Sequence, residues 1–280
     1  MAIQVEDLCY TYGEGTALER QALKHVSFEI QDGEFVGLIG HTGSGKSTLI
    51  QHLNGLIRPT AGRVLYNGED IWKEGYPLRE LRSHVGLVFQ YPEHQLFEND
   101  VLSDVCFGPM NQGLSREEAE VEAKKALQHV GFKEKNYSKS PFELSGGQKK
   151  RVAIAGVLAM NPKILILDEP TAMLDPNGRK EVLEAVSDLN RREGVTVILI
   201  THYMEEVIDA DRVVVIDGGH VVMDGTPKEV FSRVKELKKY SLDVPQVTEL
   251  ADELKEAGMD LPYGILSIDE LVDELVPLLK

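Results

Sequence analysis

The chain has 280 residues, of which 42% are hydrophobic and 27% are charged, as in soluble globular proteins. Its formal net charge of −16 disfavours nucleic acid as a partner, because proteins that bind it usually carry a basic face. The composition of the first residues and the short apolar runs lead us to expect neither a signal peptide nor a membrane span. Cys9 and Cys106 lie far apart without a metal-ligand pattern, so we expect small, reduced core residues of a cytosolic protein.

The first 39 residues have the alternation and the turn signals of β-structure. Apolar residues alternate over 3–8 and again over 26–30, ahead of a turn at 31–33. Between these segments, Tyr12 lies in a glycine-containing turn, from which its ring could stack on an adenine. A packed turn tyrosine is the alternative, so this role depends on the nucleotide motif that follows.

A glycine-rich loop separates an apolar stretch at residues 35–39 from a helical pattern that begins at Leu49. The loop matches GxxxxGK(S/T), the phosphate-binding P-loop, in the strand–loop–helix context that the motif requires. Backbone N–H groups of such a loop face the phosphates, and the helix N-terminus adds partial positive charge. We expect Lys46 to bridge the outer phosphates and the Ser47 hydroxyl to ligate Mg²⁺. The predicted triphosphate site comprises Gly40, His41, Thr42, Gly43, Ser44, Gly45, Lys46, Ser47 and Thr48.

Two further strands follow the P-loop helix. Residues 63–66 predict a strand that enters a hairpin turn at Asn67-Gly68. Residues 85–89 predict a buried strand that ends at Gln90, whose amide could reach Mg²⁺ and the attacking water. A glutamine after a strand has no such meaning by itself.

Residues 91–160 change character and predict a largely helical segment. A capping box at Ser115 and Glu118 begins a helix through residue 130. The sequence Leu-Ser-Gly-Gly-Gln at residues 144–148 then precedes an apolar helix, and its glycines offer backbone donors to an anion.

The apolar stretch 164–167 ends in Asp168 and Glu169, which predicts a buried parallel strand with two carboxylates at its C-terminal edge. We expect Asp168 to hold Mg²⁺ through water and Glu169 to act as the general base for the attacking water. Helix caps are the alternative for such carboxylates, but the preceding P-loop favours the catalytic interpretation.

Another buried strand at residues 195–200 leads to His202, which could contact the γ-phosphate from the same edge. Other histidines, such as His52 and His129, are interpreted as packing or surface residues. A hairpin is predicted around residues 217–219.

The last 55 residues are predicted to be helical and to lie outside the nucleotide machinery. A capping box at Thr226 and Glu229 begins a helix that should end near Tyr240, and Ser267 caps an amphipathic helix through Leu279. This segment could fold back on its own core or form a subunit contact.

The order of these motifs over residues 1–225 resembles the ATP-binding-cassette (ABC) ATPases. The resemblance implies an α/β P-loop NTPase fold. Its parts would be a RecA-like parallel-sheet core, an N-terminal antiparallel β-subdomain, a helical subdomain at about 91–160 and a helical extension at 226–280. The implied cofactors are ATP and Mg²⁺.

Roles of single residues follow from the same resemblance. It implies Tyr12 as the adenine-stacking residue, Gln90 as the Q-loop, Glu169 as the catalytic carboxylate, Asp175 as the D-loop and His202 as the switch histidine. Walker A would be residues 40–48, and Walker B would be residues 164–168. A further group is implied to close over the nucleotide of a facing subunit: Ser145, Gly147 and Gln148. Met173 departs from the small residues common before Leu-Asp, which could alter packing near the D-loop.

Residues 40–56, 90–98 and 107–109 resemble more narrowly the ATPases of energy-coupling-factor (ECF) transporters, in particular the second ATPase subunit. This implies a chain that binds peripherally at the cytoplasmic face of the membrane and drives uptake of vitamins or transition-metal ions with ATP. Implied partners are a second ATPase subunit, a transmembrane coupling subunit that docks after Gln90, and a substrate-binding membrane subunit. The alternatives are the ATPase of an importer served by a solute-binding protein, a non-transport ABC ATPase, and a nucleotide sensor without hydrolysis.

Overall fold

Two β-sheets contain the strands of the computed structural model, which describes residues 2–278. In chain order the strands are β1 (Ile3–Tyr12), β2 (Arg20–Ile30), β3 (Phe35–Ile39), β4 (Ala61–Tyr66), β5 (Glu69–Asp70), β6 (Val85–Val88), β7 (Ile164–Asp168), β8 (Thr196–Thr201), β9 (Arg212–Asp217) and β10 (His220–Gly225). The α-helices are α1 (Lys46–Leu53), α2 (Leu78–His84), α3 (Val101–Asn111), α4 (Arg116–His129), α5 (Gly146–Leu158), α6 (Pro176–Glu193), α7 (Pro227–Phe231), α8 (Val234–Lys239), α9 (Gln246–Glu256) and α10 (Ile268–Leu278). Short 3₁₀ helices are Pro92–Gln95, Glu134–Asn136, Pro141–Glu143 and Met204–Val207.

The smaller sheet is antiparallel and has the strand order β2-β1-β4-β5. Strands β4 and β5 are joined by Asn67-Gly68, and both residues have positive φ, at 50° and 80°. A two-residue hairpin with this backbone matches the twist of its strands, and Asn-Gly adopts it readily. The predicted hairpin and the predicted N-terminal β-subdomain are therefore confirmed.

The larger sheet has the order β10-β9-β3-β8-β7-β6, in which only the β9–β10 hairpin pairing is antiparallel. Strands β3, β7 and β8 are buried along their whole length, because one face of the sheet packs against helices that include α5 and α6 and the other against α1 and the smaller sheet. Their sequences are accordingly continuous apolar runs. The parallel core predicted from these runs is confirmed, and the carboxyl ends of its strands lie at one edge.

The helices predicted for residues 91–160 are present and pack around α5. Helix α4 begins with the predicted capping box, in which the Ser115 hydroxyl and the Glu118 carboxylate each accept a backbone N–H. Small side chains on one face, Ala119, Ala123 and Ala126, are buried against α3 and α5. This confirms a helical insertion between β6 and β7.

One predicted helix near the C-terminus is wrong. Instead of one helix from Thr226 to about residue 240, the structure has α7 and α8, separated at Ser232 and Arg233. The Ser232 hydroxyl donates to the Glu229 carbonyl, a bond that competes with continuation of the helix. The break lets the core-facing side chains on both sides, Phe231 and Leu237, become completely buried.

The C-terminal segment folds back in part. Side chains of α7 and α8 belong to the main core, whereas α9 and α10 share a small separate cluster around Leu261 and Ile265. The predicted last residue of α10, Leu279, lies outside the described residues. Both cysteines are buried free thiols. No helix within residues 2–278 has the length and apolarity to cross a bilayer.

Close packing against the central strand gives a test of this fold. A Cβ on Gly37 of β3 would lie 2.6 Å from Cγ1 of Val207. We expect Gly37→Ala to lower the free energy of unfolding by about 1–3 kcal/mol, because a full core cannot accept the methyl group without strain. Chemical denaturation of Gly37→Ala, Val207→Ala and the double variant would measure it. The double variant should lose less free energy of unfolding than the two single variants lose together, because Val207→Ala makes room for the new methyl group. Losses that add strictly would contradict this contact.

Candidate nucleotide site

The P-loop leaves β3 and wraps around the start of α1. Gly45, immediately before α1, has φ 114°, and a Cβ there would lie 2.8 Å from the carbonyl oxygen of Ala22. Only glycine has the backbone freedom and the absent side chain that this position requires. The loop is also held by the β9–β10 turn, because Gly219 N–H donates to the Ser44 carbonyl at 2.9 Å.

Lys46 is held inside this loop. Its Nζ donates to the carbonyl oxygens of Gly40 at 2.6 Å and of His41 at 3.0 Å. Desolvation lowers the pKa of Lys46, and the nearby charges of Glu169 and Asp168 oppose that effect. A buried ammonium within a glycine-rich loop at a helix N-terminus is suited to a polyanion such as a triphosphate.

Asp168 ends β7 beside the P-loop and accepts a hydrogen bond from the Ser47 hydroxyl. Burial raises the pKa of Asp168 and the charge of Glu169 adds to the rise, against the effects of Ser47 and Lys46. Hydroxyl and carboxylate oxygens are ligands that Mg²⁺ accepts, together with waters and phosphate oxygens. Ser47, Asp168 and the neighbouring Gln90 therefore fit the predicted Mg²⁺ site in their chemistry.

Glu169 lies between Gln90 and His202, the two other residues predicted to be catalytic. Gln90 Nε2 donates to Glu169 Oε2 at 2.8 Å, and His202 Nδ1 lies 3.4 Å from Glu169 Oε1. Glu169 also has a left-handed backbone, with φ 49°, which is strained for a residue other than glycine. The structure thus brings three residues distant in sequence to one carboxylate.

Tyr12 lies at the opposite side of the P-loop. Its hydroxyl is 3.1 Å from Thr48 Oγ1, and its ring contacts Tyr10 edge-to-face with centroids 4.8 Å apart. The side chain is 41% exposed. Tyr10 in turn contacts the buried ring of His52, which is a packing residue as predicted.

A cavity of about 580 Å³ is lined by most of the P-loop and by Tyr12, Gln90, Glu169 and His202. The buried side chains of Ser44 and Asp168 do not line it. Besides the predicted ones, it is lined by residues that sequence reasoning missed: Arg20, Ala22, Met204, Ser241, Leu242 and Asp243. Arg20 reaches the cavity because it pairs with Tyr12 across β1 and β2, a register that only the folded chain shows. No sequence signal marks residues 241–243, because only folding of the C-terminal segment brings them to the rim.

The residues predicted to serve a facing subunit do not line this cavity. Ser145 and Gln148 form a capping box at the start of α5, with Gln148 Oε1 3.1 Å from Ser145 N, and Gly147 lies between them. Asp175 caps α6 by accepting a hydrogen bond from Gly178 N–H at 2.7 Å. Met173 is 82% exposed with φ 63°, so it projects outward and does not fill the core near Asp175.

The fold and this site define a P-loop nucleotide-binding cassette, and the ABC transporter family model matches residues 23–172. The chain belongs to this family, whose ATPases bind ATP. Within it, the chain belongs with the energy-coupling factor transporter ATP-binding proteins. Two from Caldanaerobacter subterraneus subsp. tengcongensis are similar along nearly their whole length: EcfA2 (50% identity, covering 100% of this chain and 98% of the relative) and EcfA1 (51%, covering 97% of each).

Solved structures agree with this assignment. CbiO1 of Clostridium perfringens, described as part of the ABC transporter complex CbiONQ, has a TM-score of 0.76 at 40% identity and covers 90% of this chain and 98% of its own. The ABC cassette MJ0796, a dimer bound to ADP and phosphate, has a TM-score of 0.74 at 30% identity and covers 80% and 98%. The fold class predicted from the motifs is confirmed.

The buried carboxyl of Asp168 gives a test of the site's electrostatics. Because its pKa is raised, the folded chain holds this proton more tightly than the unfolded chain does. Ionisation therefore lowers the free energy of unfolding as the pH rises from the ordinary to the raised pKa. Without nucleotide at pH 8, we expect Asp168→Asn to raise Tm, because the neutral amide avoids the cost of a buried charge; each 1 kcal/mol gained corresponds to about 2–4 °C in a chain of this size.

The gain from Asp168→Asn should shrink toward zero at acidic pH, where both states carry the proton. Thermal unfolding across the pH range would measure this gain. Asp188→Asn, at an exposed position on α6, is the control, and its Tm should not rise. A neutral or negative shift at pH 8 would contradict the assigned desolvation.

Proposed function

We propose that this chain is the second-type ATP-binding subunit of an ECF importer, and that it hydrolyses ATP to drive uptake of a vitamin or a transition-metal ion. The observation that carries hydrolysis is Glu169, held by Gln90 and His202 beside the P-loop. The membrane process is supported by full-length similarity to ECF transporter proteins named EcfA2 and EcfA1. The choice of the second subunit type rests on the motifs at residues 40–56, 90–98 and 107–109.

The residues predicted for the site have distinct parts in the proposed reaction. Lys46 would exchange its carbonyl acceptors for phosphate oxygens, and the P-loop N–H groups would hold the remaining oxygens. Glu169 would accept the proton of the attacking water, while the Gln90 amide orients the carboxylate and His202 faces the γ-phosphate. Ser47, Asp168 and Gln90 would hold Mg²⁺, which supplies charge neutralisation at the outer phosphates.

Two chains are needed for a complete site in this proposal. Ser145, Gly147 and Gln148 lie outside the cavity of their own chain, and the two glycines at the start of α5 leave backbone N–H groups available. We propose that they cover the nucleotide of a second ATPase subunit, so that ATP binding closes the pair and hydrolysis reopens it.

A second cavity, of about 590 Å³, offers a docking groove for the transmembrane coupling subunit. Phe97 and Phe107 line it in edge-to-face contact with ring centroids 4.8 Å apart, and both rings are about half exposed. Arg79 and Arg82 contribute positive charge at its rim. The groove follows Gln90 by one 3₁₀ helix, Pro92–Gln95, so a movement at Gln90 would reach it. Docking there would hold the chain at the cytoplasmic face of the membrane.

The proposed role of Glu169 in hydrolysis can be tested by replacing its carboxylate with an amide. Glu169→Gln keeps the size of the side chain but cannot accept the proton, so the ATPase rate should fall by about 10²- to 10⁴-fold. ATP binding should persist, and the ATP-bound dimer should accumulate on size-exclusion chromatography. Glu184→Gln, an exposed carboxylate on α6, is the matched control. Near-normal phosphate release by Glu169→Gln would refute the assigned base.

Docking can be tested separately from nucleotide chemistry. Phe107→Ala removes one wall of the groove, so the fraction of chain that copurifies with its coexpressed coupling subunit should fall several-fold while ATP affinity is unchanged. Tyr263→Ala, an exposed aromatic side chain on the C-terminal segment, is the control. Equal recovery of the coupling subunit with Phe107→Ala and with the native chain would refute this groove.

A further inference from the structure

Arg20 is a cation of the nucleotide cavity that belongs to none of the recognised motifs. It is the first residue of β2 and pairs directly with Tyr12, the last residue of β1. Residues directly opposite in an antiparallel pair direct their side chains to the same face. The guanidinium of Arg20 and the ring of Tyr12 therefore line the same cavity, and both do so in the structure.

The guanidinium of Arg20 reaches the P-loop. A Cβ built on Gly43 would lie 3.7 Å from Arg20 Nη2, so this nitrogen is beside the loop at Gly43. Arg20 is exposed, whereas Lys46 is buried at the base of the same loop. The two cations thus approach the phosphate cradle from different sides, one from solvent and one from the core.

Arg20 also differs from neighbouring arginines in its partners. Arg63, on β4 of the same sheet, pairs with Glu6, and Arg212 pairs with Asp224. Within residues 2–278 the Arg20 guanidinium has no ion-pair partner. Its charge is available to a ligand in a chain whose formal net charge is −16.

We propose that Arg20 is a phosphate-binding residue, which contacts the polyphosphate of the bound nucleotide from the solvent side of the P-loop. A guanidinium presents paired N–H donors that match phosphate oxygens. The pairing with Tyr12 fixes Arg20 relative to the base-stacking position, so the two side chains recognise the two ends of one nucleotide. The proposal rests on the proposed function, because it requires ATP in this cavity.

A contact made equally in the ground state and the transition state changes KM and leaves kcat unaltered. For the full-length chain, we expect Arg20→Ala to raise the Kd of MgATP and MgADP about 5- to 30-fold. The Kd of AMP and of adenosine should change much less, since these ligands carry few or no phosphate oxygens at the P-loop. Arg20→Lys should recover part of the loss.

Isothermal titration calorimetry with MgATP, MgADP, AMP and adenosine would measure these constants, and steady-state ATPase assays would give KM and kcat. Arg63→Ala is the matched control, because it removes an arginine of the same sheet outside the cavity. Its affinities should equal those of the native chain. Thermal unfolding of each variant, with Arg20→Lys as the conservative form, separates lost binding from lost folding.

Lys46→Ala distinguishes this proposal from the function on which it rests. If Lys46→Ala leaves MgATP binding unchanged, the proposed nucleotide site itself is wrong. If Lys46→Ala abolishes binding while Arg20→Ala stays within twofold of the native chain, only the role of Arg20 is refuted. Equal losses for adenosine and MgATP in Arg20→Ala would also refute it, because Arg20 would then act on the Tyr12 ring.

Discussion

The parallel register of the buried strands is the constraint on which the rest of this molecule depends. Backbone hydrogen bonds align β3 with β8, β8 with β7 and β7 with β6. The loops after these strands must therefore emerge at one edge, where Lys46, Gln90, Glu169 and His202 meet. Glu169 itself is tied to the neighbouring strand, since its N–H donates to the carbonyl of Ile200 at 2.9 Å. Residues from four loops meet at one site because one hydrogen-bonded sheet carries all of them.

Charge burial at this edge opposes stability and favours binding. Desolvation lowers the pKa of Lys46 and raises that of Asp168, so both charged forms are less favourable here than in water. A triphosphate with Mg²⁺ would supply the missing counter-charges. Without a ligand, the buried charges therefore lower the stability of the folded chain. The left-handed backbone of Glu169 adds a further unfavourable contribution.

The C-terminal segment is more closely connected to the nucleotide cavity than its sequence suggests. Residues 241–243 line the cavity, and the backbone N–H of Gln246 lies 3.5 Å from Glu205 Oε1, on the 3₁₀ helix that follows His202. Glu206 on the same helix accepts hydrogen bonds from the hydroxyls of Thr171 and Thr201. Helices α7 and α8 bury side chains in the main core, whereas α9 and α10 form their own small cluster and α9 contacts the cassette at its first residue.

Local sequence patterns were sufficient to predict the class of fold and most of the cavity. Three features depend on local physical causes and can be predicted from short segments of sequence. They are the P-loop with its flanks, the continuous apolar strands and the acidic pair Asp168-Glu169. The sequence also led to different predicted roles for residues 40–48, which serve the nucleotide of their own chain, and for residues 144–148, which serve that of a facing subunit. The second role stays a prediction.

The residues outside the motifs that reach the site could be identified only from the folded chain. The position of Arg20 depends on its register with Tyr12, and that of residues 241–243 on how α7 and α8 pack after the break at Ser232. Register and helix packing are set by contacts between segments far apart in the chain, so no local pattern records them. The outward position of Met173 has the same origin, because strand and helix geometry on both sides fixes its backbone.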